Sequence, residues 1–299
     1  MINPVIDYLQ NFGFAVAHDV IPEKECSQMA DVLDEIEAEQ RTLDHTKYMN
    51  DTQVTLFNVH LLKPNLFLDK INIPKVMKVV SSVLHDDFIL SNFNASRSVS
   101  KEGGQRVHID SRVPITDFQH TMQIVAMLCL DDFTPENGST YVWPNSHTSS
   151  QDPRKLRDLN DLPGEIQCHA PRGSVIYILG QTWHDIGPKT EDVRRWGIIA
   201  YYARWWIKPT FDFTQCGSKI YSRLTPQQKS LFGFNSRPPT DANQRTMTMT
   251  NIEDLSDDYN EAKQLIKKFN LVCISFCSKR TEIQEKFNKL IPENARDKN

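Results

Sequence analysis

Between residues 121 and 207 the sequence carries four short, strongly apolar runs: TMQIVAMLCL (121–130), GSTYVW (138–143), GSVIYIL (173–179) and WGIIAYYARWWI (196–207). Turn clusters such as TPENGS and APRGS divide them, and no helical apolar step appears between them. Parallel strands need long crossovers, usually helical. Strands that follow one another across turns pair antiparallel instead, so this stretch predicts a sandwich or barrel rather than βαβ units.

The flanks read differently. Asn3-Pro4 is a helix-start signal, because proline has no N–H to leave unpaired in a first turn. In IPEKECSQMADVLDEIEAEQ, Met29, Val32, Leu33 and Ile36 recur at three- and four-residue steps, the stripe of a helix buried on one side. A third helix is expected over 74–84, and FGFAVAHDV, between the first two helices, reads as a strand. LTPQQKSLFGF reads as a short helix, NSRPPTDANQRTMTMTNIEDLSDD has loop composition, and 211–258 is expected to contain a lid segment over the mouth. The last 40 residues return to helical spacing through Ala262, Leu265, Ile266, Phe269, Ile283, Phe287 and Leu290. The expected organisation is an N-terminal helical buttress over 1–90, a β core over 91–210 and a C-terminal lid with helices over 211–299.

Bulk composition narrows the partners. The net charge is −4 and no long Lys/Arg run is present, which argues against nucleic acid. Apolar stretches such as 124–130 fall far short of a membrane span. The start MINPVIDYLQ shows no secretory pattern, and the six scattered cysteines form no CxxC pair, as in a reduced, cytoplasmic protein. The expected partner is a small molecule, and the oligomeric state stays open.

The chemistry starts at VHIDSR (107–112). In a strand, residues i and i+2 share a face, so His108 and Asp110 aim an imidazole and a carboxylate at one point. Of the nine histidines, His184 is the best third ligand, since it ends the apolar run GSVIYILGQTWH where a strand delivers it to the rim. Two histidines and one carboxylate leave positions open on a metal and suit non-haem Fe(II), whereas structural zinc takes four protein ligands and commonly thiolate.

The order QRVHID, LDDFTPENGSTYVWPNSH and WHDIG…RRWGIIAYYARWW resembles the phytanoyl-CoA dioxygenase family over about residues 10–235. The resemblance implies a double-stranded β-helix, a cupin-like jelly roll, mainly β, with N- and C-terminal helices buttressing it. It implies Fe(II), 2-oxoglutarate and O₂ as cofactors, with His108, Asp110 and His184 as catalytic metal ligands. The 2-oxoglutarate arginine falls on Arg195, with Arg194 as the substitute, and Gln105 and Thr140 match positions that hydrogen-bond the cosubstrate. Asn145 stands where the family often has Gly, and Lys189 or Thr190 where it often has Asn. The implied reaction abstracts hydrogen from a small molecule, with succinate and CO₂ released. Hydroxylation, desaturation and oxidative cyclisation all fit. Asp110 is intact where halogenating relatives carry a small residue, which disfavours halogenation.

Arg106 and Arg112 bracket the metal motif, Arg204 sits in an aromatic stretch, and Trp143, Tyr201 and Trp205 are candidates for an apolar wall. An anionic, carboxylate-bearing substrate follows if Arg112 faces the mouth, and the resemblance implies acyl thioesters, amino-acid-like molecules or secondary metabolites; a surface ion pair and core aromatics account for the same residues at least as well. His147 is expected to make a structural hydrogen bond, His169 to be exposed, and His85 and His120 have no partner pattern. Two other classes compete: a cupin-like metalloenzyme without 2-oxoglutarate, which the arginine after the distal histidine argues against, and a non-catalytic binding protein, which the complete ligand set argues against.

Overall fold

The computed structural model describes residues 3–43, 49, 52–85, 87–99, 101, 107–111, 120–153 and 164–236. They fall in two compact units, one of Met1–Phe213 with Leu224–Thr250 and one of Thr214–Arg223 with Asn251–Asn299. The expected C-terminal helices, and the 237–258 part of the expected lid, lie outside the described residues.

In the first unit, α1 (Pro4–Phe12) starts as its sequence predicts: Val5 N–H donates to the Asn3 side chain at 3.0 Å, with Pro4 in the first turn. Gly13 ends it at φ +86°, its N–H donating to Leu9 O. β1 (Phe14–Ala17), α2 (Glu23–Thr42), β2 (Gln53–Phe57), α3 (Val59–Leu62), α4 (Pro64–Phe67) and α5 (Pro74–Leu84) follow. The α2 stripe buries Met29, Leu33 and Ile36. β2 is an addition to the helical reading of this region; its five residues are too few to reveal a period, and pairing with a later strand is what makes them extended.

The strands continue as β3 (Phe88–Ser98), β4 (Gln123–Cys129), β5 (Thr140–Val142), β6 (Ile166–Gln167), β7 (Val175–Leu179), β8 (His184–Ile186) and β9 (Gly197–Arg204). Six form one sheet in the order β1-β7-β4-β9-β3-β2, three form a second in the order β6-β5-β8, and every pairing is antiparallel. This is the expected jelly-roll class: two antiparallel sheets with flanking helices.

The core between the sheets joins Phe14, Val125, Met127, Cys129, Ile176 and Ile178 of the large sheet to Phe133, Val142, Cys168 and Ala170. The opposite face of the large sheet is also covered, with α5 against β4 and β9 and α1 against β7. Tyr202 on that face donates its hydroxyl to Ile71 O at 2.9 Å. Burial on both faces is why β4 and β7 read as solid apolar runs rather than alternating ones. β3 is nearly as buried yet alternates Phe93 and Ala95 with Asn92, Asn94, Ser96 and Ser98. Its register sets Asn92 beside Tyr201 and Asn94 beside Ile199, on the face turned to the second sheet.

After the strands, α6 (Ser218–Tyr221) belongs to the second unit and α7 (Pro226–Leu231) to the first. α7 opens with a reciprocal capping box between Thr225 and Gln228. Among the described residues no helix is long and apolar enough to cross a membrane.

Candidate metal centre

His108 and His184 are direct cross-strand neighbours. His108 N–H donates to His184 O at 3.0 Å, and His184 N–H donates back at 3.1 Å. Residues so paired project to the same side, which brings the imidazole ring centroids to 4.3 Å. Asp110, two residues after His108, reaches the same point: its Oδ2 lies 3.3 Å from His184 Nε2 and its Oδ1 4.0 Å from His108 Nε2. One ligand atom from each of the three lies within 4.8 Å of the others. Atoms that each sit about 2 Å from a shared first-row metal are roughly 3–4 Å apart, the range in which Asp110 stands from both imidazoles, and the three side chains could hold one ion.

The surroundings orient these ligands. Nδ1 of His184 lies 3.0 Å from Thr182 O, and a proton donated there leaves Nε2 with its lone pair toward Asp110. Thr182 is held in turn by its own hydroxyl, which donates to Gly13 O at 2.7 Å, at the C-terminus of α1. Gly13 has no space for a side chain, since a Cβ would come 2.6 Å from both Thr182 Oγ1 and His147 Nδ1. Burial works against a charge on His184, but Asp110 beside it more than compensates and holds its pKa above the ordinary imidazole value.

The two adjacent arginines part company. Arg194 turns outward and is consumed by carboxylates: Asp31 and Asp34 at 2.8 Å and Asp131 at 3.2 Å. Arg195 turns into the core at 5% exposure, its guanidinium 4.5 Å from the Phe133 ring centroid. Its Nε has no hydrogen-bond partner, and burial lowers its pKa to about 10, which leaves it charged at neutral pH. Among the described residues no carboxylate pairs with this buried, charged guanidinium, so its charge is uncompensated.

Thr140 is buried on β5, two residues from Val142, which pairs with His184. Its hydroxyl lies 3.8 Å from Met127 Sδ in the inter-sheet core. Tyr201 also packs against that core. Trp143 is not brought there: it packs with Trp183, Val107 and Ile109 in a separate cluster, one residue out of phase with Val142. Trp205 is half exposed. Gln105, Arg106 and Arg112 lie outside the described residues. His147 makes a structural contact, its Nε2 3.2 Å from Gln10 O, and His169 is exposed. Sequence reasoning passed over Thr182 and Asp131. Thr182 carried one signal, its place two residues before a rim histidine. Asp131, which accepts from Trp196 N–H at 2.9 Å and pairs with Arg172 and Arg194, joins residues too distant in sequence to be linked by pattern.

The fold agrees with comparison to known proteins. A dioxygenase of Aspergillus fumigatus, af480, is 26% identical over 170 residues, which are 54% of this chain and 53% of that protein. The chain therefore spans about half the length of that relative. The uncharacterized protein Rv1501 of Mycobacterium tuberculosis is 23% identical over 247 residues, covering 80% of this chain and 89% of its own. Among solved structures, HygX of Streptomyces hygroscopicus, determined with nickel and 2-oxoglutarate bound, shares the fold at a TM-score of 0.53 and 14% identity, over 70% of this chain and 89% of that one. The family model for phytanoyl-CoA dioxygenase matches residues 9–196, a span holding the antiparallel strands up to β8, the converging His108, Asp110 and His184, and Arg195. The chain belongs to the phytanoyl-CoA dioxygenase family, a family of 2-oxoglutarate-dependent non-haem iron oxygenases that use iron(II), 2-oxoglutarate and O₂.

Proposed function

We propose that the protein oxidises a small molecule at an unactivated C–H bond, with iron held by His108, Asp110 and His184 and the distal carboxylate of 2-oxoglutarate held by Arg195. Hydroxylation, desaturation and oxidative cyclisation are the outcomes that such a site serves. The observation that carries this reading is the convergence of two imidazoles and one carboxylate, from distant parts of the chain, to within 4.8 Å. Iron(II) with 2-oxoglutarate supplies the oxidising power for O₂ chemistry when bound, with succinate and CO₂ released. The chain's own part is to position and to exclude. Thr182 fixes the His184 ring, Asp110 supplies the negative charge that offsets a cation, and Arg195 offers a pre-placed charged donor to a carboxylate. The apolar core around Met127, Phe133 and Val142 keeps bulk water from that end of the interior. Arg195 also supports 2-oxoglutarate over a cupin-like reaction without it, since such a reaction leaves a buried cation with nothing to bind.

The test is anaerobic addition of Fe(II) and then 2-oxoglutarate to metal-free protein, followed in the visible region. A weak charge-transfer band that needs both components and disappears in His184→Ala is the expected result. Folded, iron-loaded protein with no band would overturn the 2-oxoglutarate part of the reading.

A further inference from the structure

β3 carries an extra residue. Its register with β9 shifts between Leu90 and Asn92: Leu90 lies opposite Tyr202 and Asn92 opposite Tyr201, with Ser91 unmatched. Tyr202 faces the helical layer, where its hydroxyl reaches Ile71 O, whereas Tyr201 packs against the core between the sheets. Without Ser91, Asn92 would face the helices; with it, Asn92 and, two residues on, Asn94 turn to the interior. The bulge is pinned from outside, since Ser91 O accepts from the N–H groups of Thr210 and Phe211 at 3.0 and 3.2 Å. The same segment sets the Phe211 ring 5.5 Å from that of Phe57, the cross-strand neighbour of Asn94.

The two asparagines turn inward to no protein partner. Asn92 Oδ1 and Asn94 Oδ1 are both buried without a hydrogen bond, and Asn94 is only 5% exposed. Each costs free energy that an apolar side chain of similar size would not. The interior they face runs to the candidate metal centre: Tyr201 pairs with Val125, and Val125 shares the inter-sheet core with Val142, the partner of His184. An amide oxygen accepts, so a carboxylate, with no hydrogen to give at neutral pH, does not answer it. Two such acceptors stand on one strand face about 7 Å apart, framed by Phe57, Ile199 and Tyr201. That pattern suits a compact ligand with apolar faces and O–H or N–H groups at its edges.

We propose that Asn92 and Asn94 are specificity-determining residues, which accept hydrogen bonds from hydroxyl or amine groups of the substrate, so that the molecule oxidised is a hydroxylated or aminated compound on a saturated frame. This rests on the small-molecule oxygenase reading above.

The experiment compares two probes of one frame, trans-1,4-cyclohexanediol, which donates, and 1,4-cyclohexanedione, which only accepts. Their dissociation constants are measured by calorimetry, without O₂, on protein loaded with Fe(II) and 2-oxoglutarate. The diol is expected to bind about fivefold or more tightly than the dione, the effect of hydrogen bonds the dione does not make. Asn92→Leu removes most of that preference, and Asn92→Asp, which keeps the acceptor, retains it. The 2-oxoglutarate constant, read from the chelate band, stays within about twofold in Asn92→Leu, where loss of a cosubstrate contact would raise it. Equal constants for diol and dione in the wild type, no measurable heat with the diol, or a preference that survives in both Asn92→Leu and Asn94→Leu overturns the proposal. Should Asn92→Leu fail to fold by circular dichroism, the smaller Asn92→Ala decides by the same comparison. Absence of the chelate band in the wild type would remove the 2-oxoglutarate reading alone, since the heat of diol binding is read independently of it.

Discussion

Two buried residues show how single side chains set stability against use. His60 is wholly buried, with neither ring nitrogen hydrogen-bonded and the rings of Phe93, Phe213 and Phe232 around it at 4.9, 4.9 and 5.7 Å. Burial pushes its pKa down to about 3. The unfolded chain binds this proton at an ordinary histidine pKa, so the contribution of His60 to stability is fully present above about pH 6.5 and falls as pH drops toward 3. At pH 4.5 the loss is on the order of 3 kcal/mol. His60→Leu is expected to flatten the acid side of the stability profile, measured by urea unfolding at pH 5 and pH 8; an unchanged difference between the two would show that His60 is not its source. Arg195 is its counterpart in the proposed function. Arg195→Met removes an unpaired buried charge and is expected to stabilise the ligand-free protein by about 1–3 kcal/mol. It should also abolish stabilisation by 2-oxoglutarate. A variant that loses stability and keeps its 2-oxoglutarate response would sink that assignment.

At the scale of elements, the proposed metal centre leans on a helix terminus. α1 ends at Gly13, whose carbonyl accepts from Thr182, whose carbonyl lies against His184. Gly13→Ala brings a Cβ into a left-handed backbone and within 2.6 Å of two side-chain atoms. The expected cost is about 2–4 kcal/mol, with iron affinity down by about tenfold or more because the imidazole loses its orienting partner. Calorimetric Fe(II) titration of the folded variant checks this, and wild-type affinity would break the link between α1 and the metal. The α7 cap predicts a contrast. Thr225→Ala loses one cap bond and should cost about 1 kcal/mol. Gln228→Ala should cost more, since its amide also donates to Leu68 O at 3.2 Å and Asn72 Oδ1 at 3.1 Å. Equal melting temperatures for the two variants would contradict this.

For the molecule as a whole, ligand binding and folding are linked. A ligand present at a hundred times its dissociation constant stabilises by about 2.7 kcal/mol, or several degrees for a domain of this size. Anaerobic thermal scans are expected to show a rise with Fe(II), a further rise when 2-oxoglutarate is added, and little with 2-oxoglutarate alone. In His108→Ala the metal-dependent rise should vanish. Equal stabilisation by 2-oxoglutarate with and without iron would argue against chelation at this centre.

Much of this was legible in the chain. The apolar runs of β4, β7 and β9 announced strands because burial on both faces admits only apolar side chains there. His108 and Asp110 pointed together because the strand period is two, and the Asn3-Pro4 cap fixed a helix start through bonds a few residues long. What stayed hidden has one cause: its partners are remote in sequence. β2 becomes a strand because β3 lies beside it. Arg194 and Arg195 are indistinguishable neighbours until packing turns one to three aspartates and the other to Phe133. Local sequence determined the strands, the caps and the pairing of His108 with Asp110, since short-range sterics and periodicity suffice for these. Only the tertiary structure decided which arginine is buried, which carbonyl orients His184 and which face of β3 turns inward, because those depend on contacts that exist only once the sheets have closed.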